Sequence, residues 1–365
     1  MLSCGIVGLP NVGKSTLFNA ITKASVAAEN YPFCTIDPNI GVVALPDNRL
    51  LQISKLIEPD KITPTTVEFV DIAGLVKGAS CGEGLGNQFL SHIRQVDAIA
   101  HIVRCFEEKN VIHTCGAVDA LRDVEIINTE LILADISTLE KRFSRIEKRA
   151  HLGDKEVEEE YKVLLKIKNA LNEGKTIFSL KLSYKEKAII RDCFFLTAKP
   201  VLYVANVGEK EVSVPEKNLE YLKLKKRAEE DGEEIVAISA KIESEIAQLN
   251  DNETKDFLET IGLSESGLDR FIRKAYYLLN LITFFTAGKQ EVKAWTIKSG
   301  TCAKEAAGEI HSDIERGFIR AEIVGYSDFI ESKSMNAAKQ KGQMRLEGKE
   351  YIIQDGDIIY FRFSV

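Results

Sequence analysis

The chain has 365 residues, 45% hydrophobic and 28% charged, which suits a soluble globular protein with a sizeable core in two or three domains. A formal net charge of −7 excludes a surface coated in basic residues for nucleic acid, so any RNA contact must be regional. Seven scattered cysteines, with no C-x-x-C pair and no histidines at metal-ligand spacing, exclude a zinc site and a disulfide framework.

The apolar run Cys4 to Val7 reads as a strand and leads into Gly8-Leu9-Pro10-Asn11-Val12-Gly13-Lys14-Ser15-Thr16, which has the spacing G-x-x-x-x-G-K-[S/T]. Gly8 and Gly13 let the backbone turn tightly and bring N–H groups close to phosphate oxygens, while the helix that follows points its positive end at the same anion. Lys14 brings a point charge to the β- and γ-phosphates, a catalytic as well as a binding role, and the Ser15 hydroxyl is placed to ligate Mg²⁺. A chain that enters this strand at once leaves no room for a signal peptide, and no apolar run reaches transmembrane length. A cytoplasmic protein away from the membrane is expected.

Asn30 to Pro38 carries two prolines and reads as a loop, with Thr35 placed to close over a γ-phosphate and its Mg²⁺. Ile40 to Leu45 and Thr66 to Val70 read as strands, the second ending in Asp71-Ile72-Ala73-Gly74. An Asp at a strand's carboxyl end faces Mg²⁺ through water, and Gly74 can offer its N–H to the γ-phosphate. Leu75 stands where Ras-like enzymes orient the attacking water with a glutamine, so hydrolysis needs another group. Beyond the buried strand Ala98 to Val103, His113 lies in a loop, where a lone histidine is ordinarily a solvated side chain.

From Asn128 to Ala150, Ile132, Ile136, Leu139, Phe143, Ile146 and Ala150 alternate steps of four and three, and Val157, Tyr161, Leu164 and Leu171 continue beyond Gly153. The spacing predicts an antiparallel helical hairpin with Lys141, Arg142, Arg145, Lys148 and Arg149 near its tip. Pro200 to Asn206 is again a strand, ending in Asn206-Val207-Gly208-Glu209. A guanine site would read N-K-x-D, whose Asp accepts from both N1–H and the 2-amino group; Glu209 is one methylene longer and Val207 replaces the lysine, so the site is more hospitable to adenine. Ile235 to Ile238 is followed by Ser239-Ala240-Lys241, placed for backbone contacts to the base. From Leu281 onward, Thr283 to Phe285, Val292 to Ile297, Ala321 to Val324, Tyr351 to Ile353 and Ile358 to Phe363 read as short strands around one helix, Cys302 to Ile310. Lys333, Lys339, Lys341, Arg345 and Lys349 fall in a loop-rich stretch that is either a solvated face or an RNA contact.

With these motifs in this order, the chain resembles the YchF/Obg-like ATPase family of P-loop NTPases over essentially its whole length. Phe285 to Gly288, Val292 to Ile297 and Glu315 to Ile319 resemble that family's TGS domain. The resemblance implies an α/β fold: a P-loop NTPase G-domain over 1–280, interrupted by a helical coiled-coil hairpin at 128–195, then a C-terminal β-grasp (TGS) α+β domain at 281–365. It further implies ATP preferred over GTP, slow hydrolysis with Mg²⁺, and a monomer associated with ribosomes and with rRNA or tRNA. It makes His113 a catalytic candidate in place of the missing glutamine, and Asn11 a candidate K⁺ ligand. The binding set is then Asn11, Val12, Gly13, Lys14, Ser15, Thr16, Gly74, Asn206, Val207, Glu209 and Ser239, with Ser15, Thr35 and Asp71 on the metal. Competing readings are a nucleotide-gated ribosome-binding module with incidental hydrolysis and a GTP-specific Obg-like GTPase. A small-molecule kinase fits less well, because Thr35 with Asp71 and Gly74 is switch chemistry.

Overall fold

The computed structural model describes residues 2–24, 39–73, 85–108, 116–150 and 155–364. Along the chain run β1 (Ser3–Val7), α1 (Lys14–Lys23), β2 (Ile40–Ala44), α2 (Asn48–Ile57), β3 (Lys61–Thr63), β4 (Thr66–Asp71), α3 (Leu85–Gln95), β5 (Ala98–Arg104), α4 (Ala120–Ala150), α5 (Lys155–Asn172) and α6 (Tyr184–Ile190). Then come β6 (Val201–Asn206), α7 (Leu219–Asp231), β7 (Glu234–Ile238), α8 (Ala240–Ile246), α9 (Asp251–Thr260) and α10 (Gly267–Leu278). The last part holds β8 (Leu281–Ala287), β9 (Glu291–Lys298), α11 (Ala303–Ile310), α12 (Ser312–Arg316), β10 (Phe318–Val324), α13 (Tyr326–Ser332), α14 (Met335–Gln340), β11 (Arg345–Glu347) and β12 (Ile358–Phe363).

Two compact units result, one of 1–42 with 68–275 and one of 43–67 with 276–365. The first is organised on a six-stranded sheet in the order β2, β4, β1, β5, β6, β7, in which β1 pairs in parallel with both β4 and β5. Helices cover both faces of such a sheet, so its inner strands are mostly apolar and every residue of β1 and of β5 is buried, Ser3, His101 and Arg104 being the polar ones. The strand order reverses at β1, which puts a crevice outside the carboxyl ends of β1 and β5. His101 lies inside β5 among these apolar neighbours, and burial pushes its imidazole down to about 3, so it is neutral.

α4 starts at Ala120, eight residues before the heptad pattern that predicted it, and runs to Ala150. Ile132, Leu139 and Ile146 of α4 meet Val157, Leu164, Ile167 and Leu171 of α5, as the spacing requires. Arg142 pairs with Glu160 at 2.5 Å, so one of the basic residues near the tip is neutralised across the hairpin. At its root, Asp135 accepts the N–H groups of Leu196 and Thr197 at 2.8 Å and the Thr197 hydroxyl at 2.7 Å, stitching the returning chain to α4.

The second unit has a mixed six-stranded sheet in the order β11, β10, β12, β8, β9, β3. Neighbouring residues of β8 face opposite ways, and both faces are covered: Phe284 packs with Ala303, Ala306 and Ala307 of α11, Phe285 with Leu50 and Ile53 of α2 and with Phe329. Two sequence expectations are corrected here. Tyr351 to Ile353 is an irregular segment with one bridge, Cys302 to Ile352, because Gly356 at φ +91 turns the chain immediately afterwards. The single helix expected in this region is joined by α12, α13 and α14; the last is capped by Ser334, whose side chain accepts the Ala337 N–H. Lys341, Lys349 and Arg345, read as loop cations, pair with Glu331, Glu350 and Asp357.

Glu233, between α7 and β7, accepts the Val201 N–H at 3.0 Å, and burial pushes its carboxyl up to about 8. A raised folded-state value favours the protonated form, so this contribution to stability is complete below the unfolded value of 4.5 and is lost as pH rises through about 8. Glu233→Gln keeps the acceptor without the charge. It is expected to raise the thermal midpoint at pH 9 relative to the parent while leaving pH 5 unchanged; equal shifts at both pH values would refute the assignment.

Candidate nucleotide site

The turn between β1 and α1 is shaped by close packing. Gly8 lies where a Cβ would come 2.9 Å from the Ile102 carbonyl oxygen, and Gly13 has φ +95 with the Asn206 side chain where its Cβ would be. Neither position admits a larger residue without displacing backbone or a buried amide. Asn11 is also left-handed, at φ 63, and Gly13 is the N-cap of α1, so the turn runs directly into the helix. Val12 is buried, while Ser15 and Thr16 are exposed on the first helical turn. The Lys14 ammonium donates to Asp71 at the end of β4, 2.5 Å away, which the pairing of Ile6 with Asp71 makes possible.

Asn206, at the end of β6, is 3% exposed. Its Nδ2 donates to the Val12 carbonyl at 2.8 Å and its Oδ1 accepts the Ala240 N–H at 3.0 Å. The residue expected to contact a base therefore ties the phosphate turn to the Ser239-Ala240-Lys241 segment, through both ends of one amide. A cleft of about 1190 Å³ opens beside it. It brings together Asn11, Gly13, Thr16, Asn206, Val207, Glu209 and Ser239, all expected at the site. Glu209 forms an ion pair with Lys241, which raises the affinity of that lysine for its proton. Thr35, Gly74 and His113 lie outside the described residues.

Three residues at or beside the cleft had no place in the sequence reading. Phe106, just past β5, is one of the residues that line the cleft. Arg104, buried at the end of β5, lies with its guanidinium 4.5 Å from that ring's centre. Asn218 donates to the Cys105 carbonyl at 2.6 Å and to Glu211 at 2.9 Å, joining the two loops that wall the base side. The signal available was position alone, since residues just beyond the carboxyl ends of parallel strands line the crevice of this architecture.

The donor set suits Mg²⁺: an exposed hydroxyl, Ser15, at the helix start and a carboxylate, Asp71, at a strand end are hard oxygen ligands, direct or through water.

A family model described as a 50S ribosome-binding GTPase matches residues 3–141, and a YchF GTPase C-terminal model, described as a protein of unknown function, matches 281–364. The curated protein "Ribosome-binding ATPase YchF" of Bacillus subtilis is 54% identical over 364 residues, covering 100% of both chains. The chain belongs to the YchF family. The protein of the same name from Escherichia coli O157:H7 is 53% identical over 99% of each chain. The solved structure of the Schizosaccharomyces pombe YchF GTPase superposes with TM-score 0.89 at 40% identity, over 99% of this chain and 97% of that one. The bacterial proteins are named as ATPases and the yeast protein as a GTPase, so the names of these relatives do not decide the nucleotide.

The Asn206 bridge generates a test. Asn206→Asp leaves the Val12 carbonyl without its donor and buries a charge against it, which should cost about 1–3 kcal/mol or more. The thermal midpoint should fall and nucleotide binding should weaken with it; an unchanged midpoint would show that the bridge does not hold the turn.

Proposed function

We propose that this chain is a ribosome-binding ATPase that binds and hydrolyses ATP with Mg²⁺ and acts as a nucleotide-dependent switch. The observation that carries the reading is the single cleft that joins the phosphate turn to a base side lacking the guanine-specific carboxylate. Glu209 is one methylene too long for that role and is committed to Lys241. The pair is exposed to solvent and screened, so in this reading it acts by holding the carboxylate away from a base edge and not by its energy. Phe106 supplies a ring on which adenine can stack.

At the other end, Lys14 exchanges Asp71 for phosphate oxygens when a triphosphate enters, and the turn's N–H groups and the start of α1 cradle the same anion. Asp71, released by Lys14, is then available to the metal with Ser15 and Thr35. Ser15, Thr35 and Asp71 would hold Mg²⁺, which would supply positive charge to offset that of the phosphates. Gly74 offers its N–H to the terminal phosphate, and His113 holds the attacking water, since Leu75 has no polar atom with which to do so. Asn11 is a ligand for K⁺ in this scheme. The ribosome as partner is supported by the bacterial relatives above 50% identity, which are named as ribosome-binding. We place the protein in the cytoplasm as a monomer touching rRNA or tRNA, with a nucleotide domain over 1–280 from which 43–67 go to the second unit, its hairpin at 128–195 and a TGS domain at 281–365.

Side-by-side calorimetric titration should give ATP at least about tenfold tighter binding than GTP; equal binding or tighter GTP would overturn the base reading. His113→Ala should lower turnover about 10²-fold with little change in ATP affinity, and unchanged turnover would remove His113 from the mechanism.

A further inference from the structure

Arg104 is the largest of the most deeply buried side chains, and nothing in the phosphate chemistry uses it. It ends β5, in register with Asn206 on β6. Its side chain folds forward over the residues that follow: Nε donates to the Phe106 carbonyl at 3.1 Å, Nη2 to the Glu108 carbonyl at 3.5 Å, and the guanidinium lies over the Phe106 ring. From the other side, the Asn218 amide holds the Cys105 carbonyl at 2.6 Å while its own oxygen caps α7 through the Tyr221 N–H. Residues 105 and 106 are thus held between a strand end and a helix start, and Phe106 is one of the residues that line the cleft.

We infer that Arg104 is a positioning residue for the nucleotide base, acting through Phe106. A ring in a loop ordinarily loses rotamer and backbone freedom when a base stacks on it. Here the loss is taken in folding, because one fork both bonds the backbone at 106 and 108 and covers the face of the ring. Lysine carries the charge but presents neither the planar fork nor the stacking surface, so it cannot make both contacts at once. The inference rests on the proposed binding of a nucleotide base in this cleft.

The experiment compares equilibrium binding of ATP, ADP and inorganic tripolyphosphate, each with Mg²⁺, to the full chain and to Arg104→Lys, Phe106→Leu and the double variant. Arg104→Lys should weaken ATP and ADP alike by about tenfold and tripolyphosphate by less than about twofold. Phe106→Leu should show the same selectivity, and adding Arg104→Lys to it should cost less than about a further twofold, since both act on one contact. Equal loss for tripolyphosphate and ATP, or effects that multiply in the double variant, would overturn the inference. A parent protein that binds tripolyphosphate as tightly as ATP would instead overturn the base reading itself. If Arg104→Lys does not fold, Arg104→Gln, which keeps a planar donor of smaller reach, takes its place with the same expected selectivity.

Discussion

One buried amide organises the candidate site. Asn206 donates to the turn that would hold phosphates and accepts from the segment that would contact a base, so the two halves of the cleft share a single fixed point. Each bond alone contributes about 1 kcal/mol, but losing either leaves a buried polar group unsatisfied, which costs more than the bond gave. Gly13 is the complement of this arrangement. Its φ of +95 and the absence of a Cβ are what allow the Asn206 side chain to come so close to the first helical turn.

Around that point the protein invests polar groups in holding loops, and leaves the strands apolar. Arg104 and Asn218 fix the segment after β5, and Asp135 fixes the segment that returns from the hairpin. Lys199 caps the end of α3 through the carbonyls of Arg94 and Val96, tying the same returning segment to the helix that follows Asp71 in the chain. The root of the hairpin and the end of α3 therefore share a backbone stretch of a few residues.

The sequence was most legible where local chemistry is strict. The spacing of Gly8, Gly13 and Lys14 admits few backbone paths, and the strand read over Thr66 to Val70 is present and carries Asp71 at its end. The heptad positions of α4 and α5 meet as written, because only apolar side chains at that period can cover each other along a hairpin. What was illegible depends on contacts between distant residues. α2 and β3 join the second unit across more than two hundred residues, through Phe285 and Val292, and no local pattern announces that. Asn206 reads in sequence as a base contact, and that it also clamps the turn to Ala240 is visible only in three dimensions; Arg104 had no place in the sequence reading and is a buried tether. Tyr351 to Ile353 has strand composition, but the turn at Gly356 decides its path.

The central claim is that the turn between β1 and α1 receives a triphosphate through its backbone N–H groups. Hydrogen exchange at those amides tests it most directly. Adding Mg²⁺ and ATP should slow exchange at Gly13, Lys14, Ser15 and Thr16 while leaving the middle of α5 unchanged. Exchange at these four amides that is the same with and without saturating nucleotide would contradict the account.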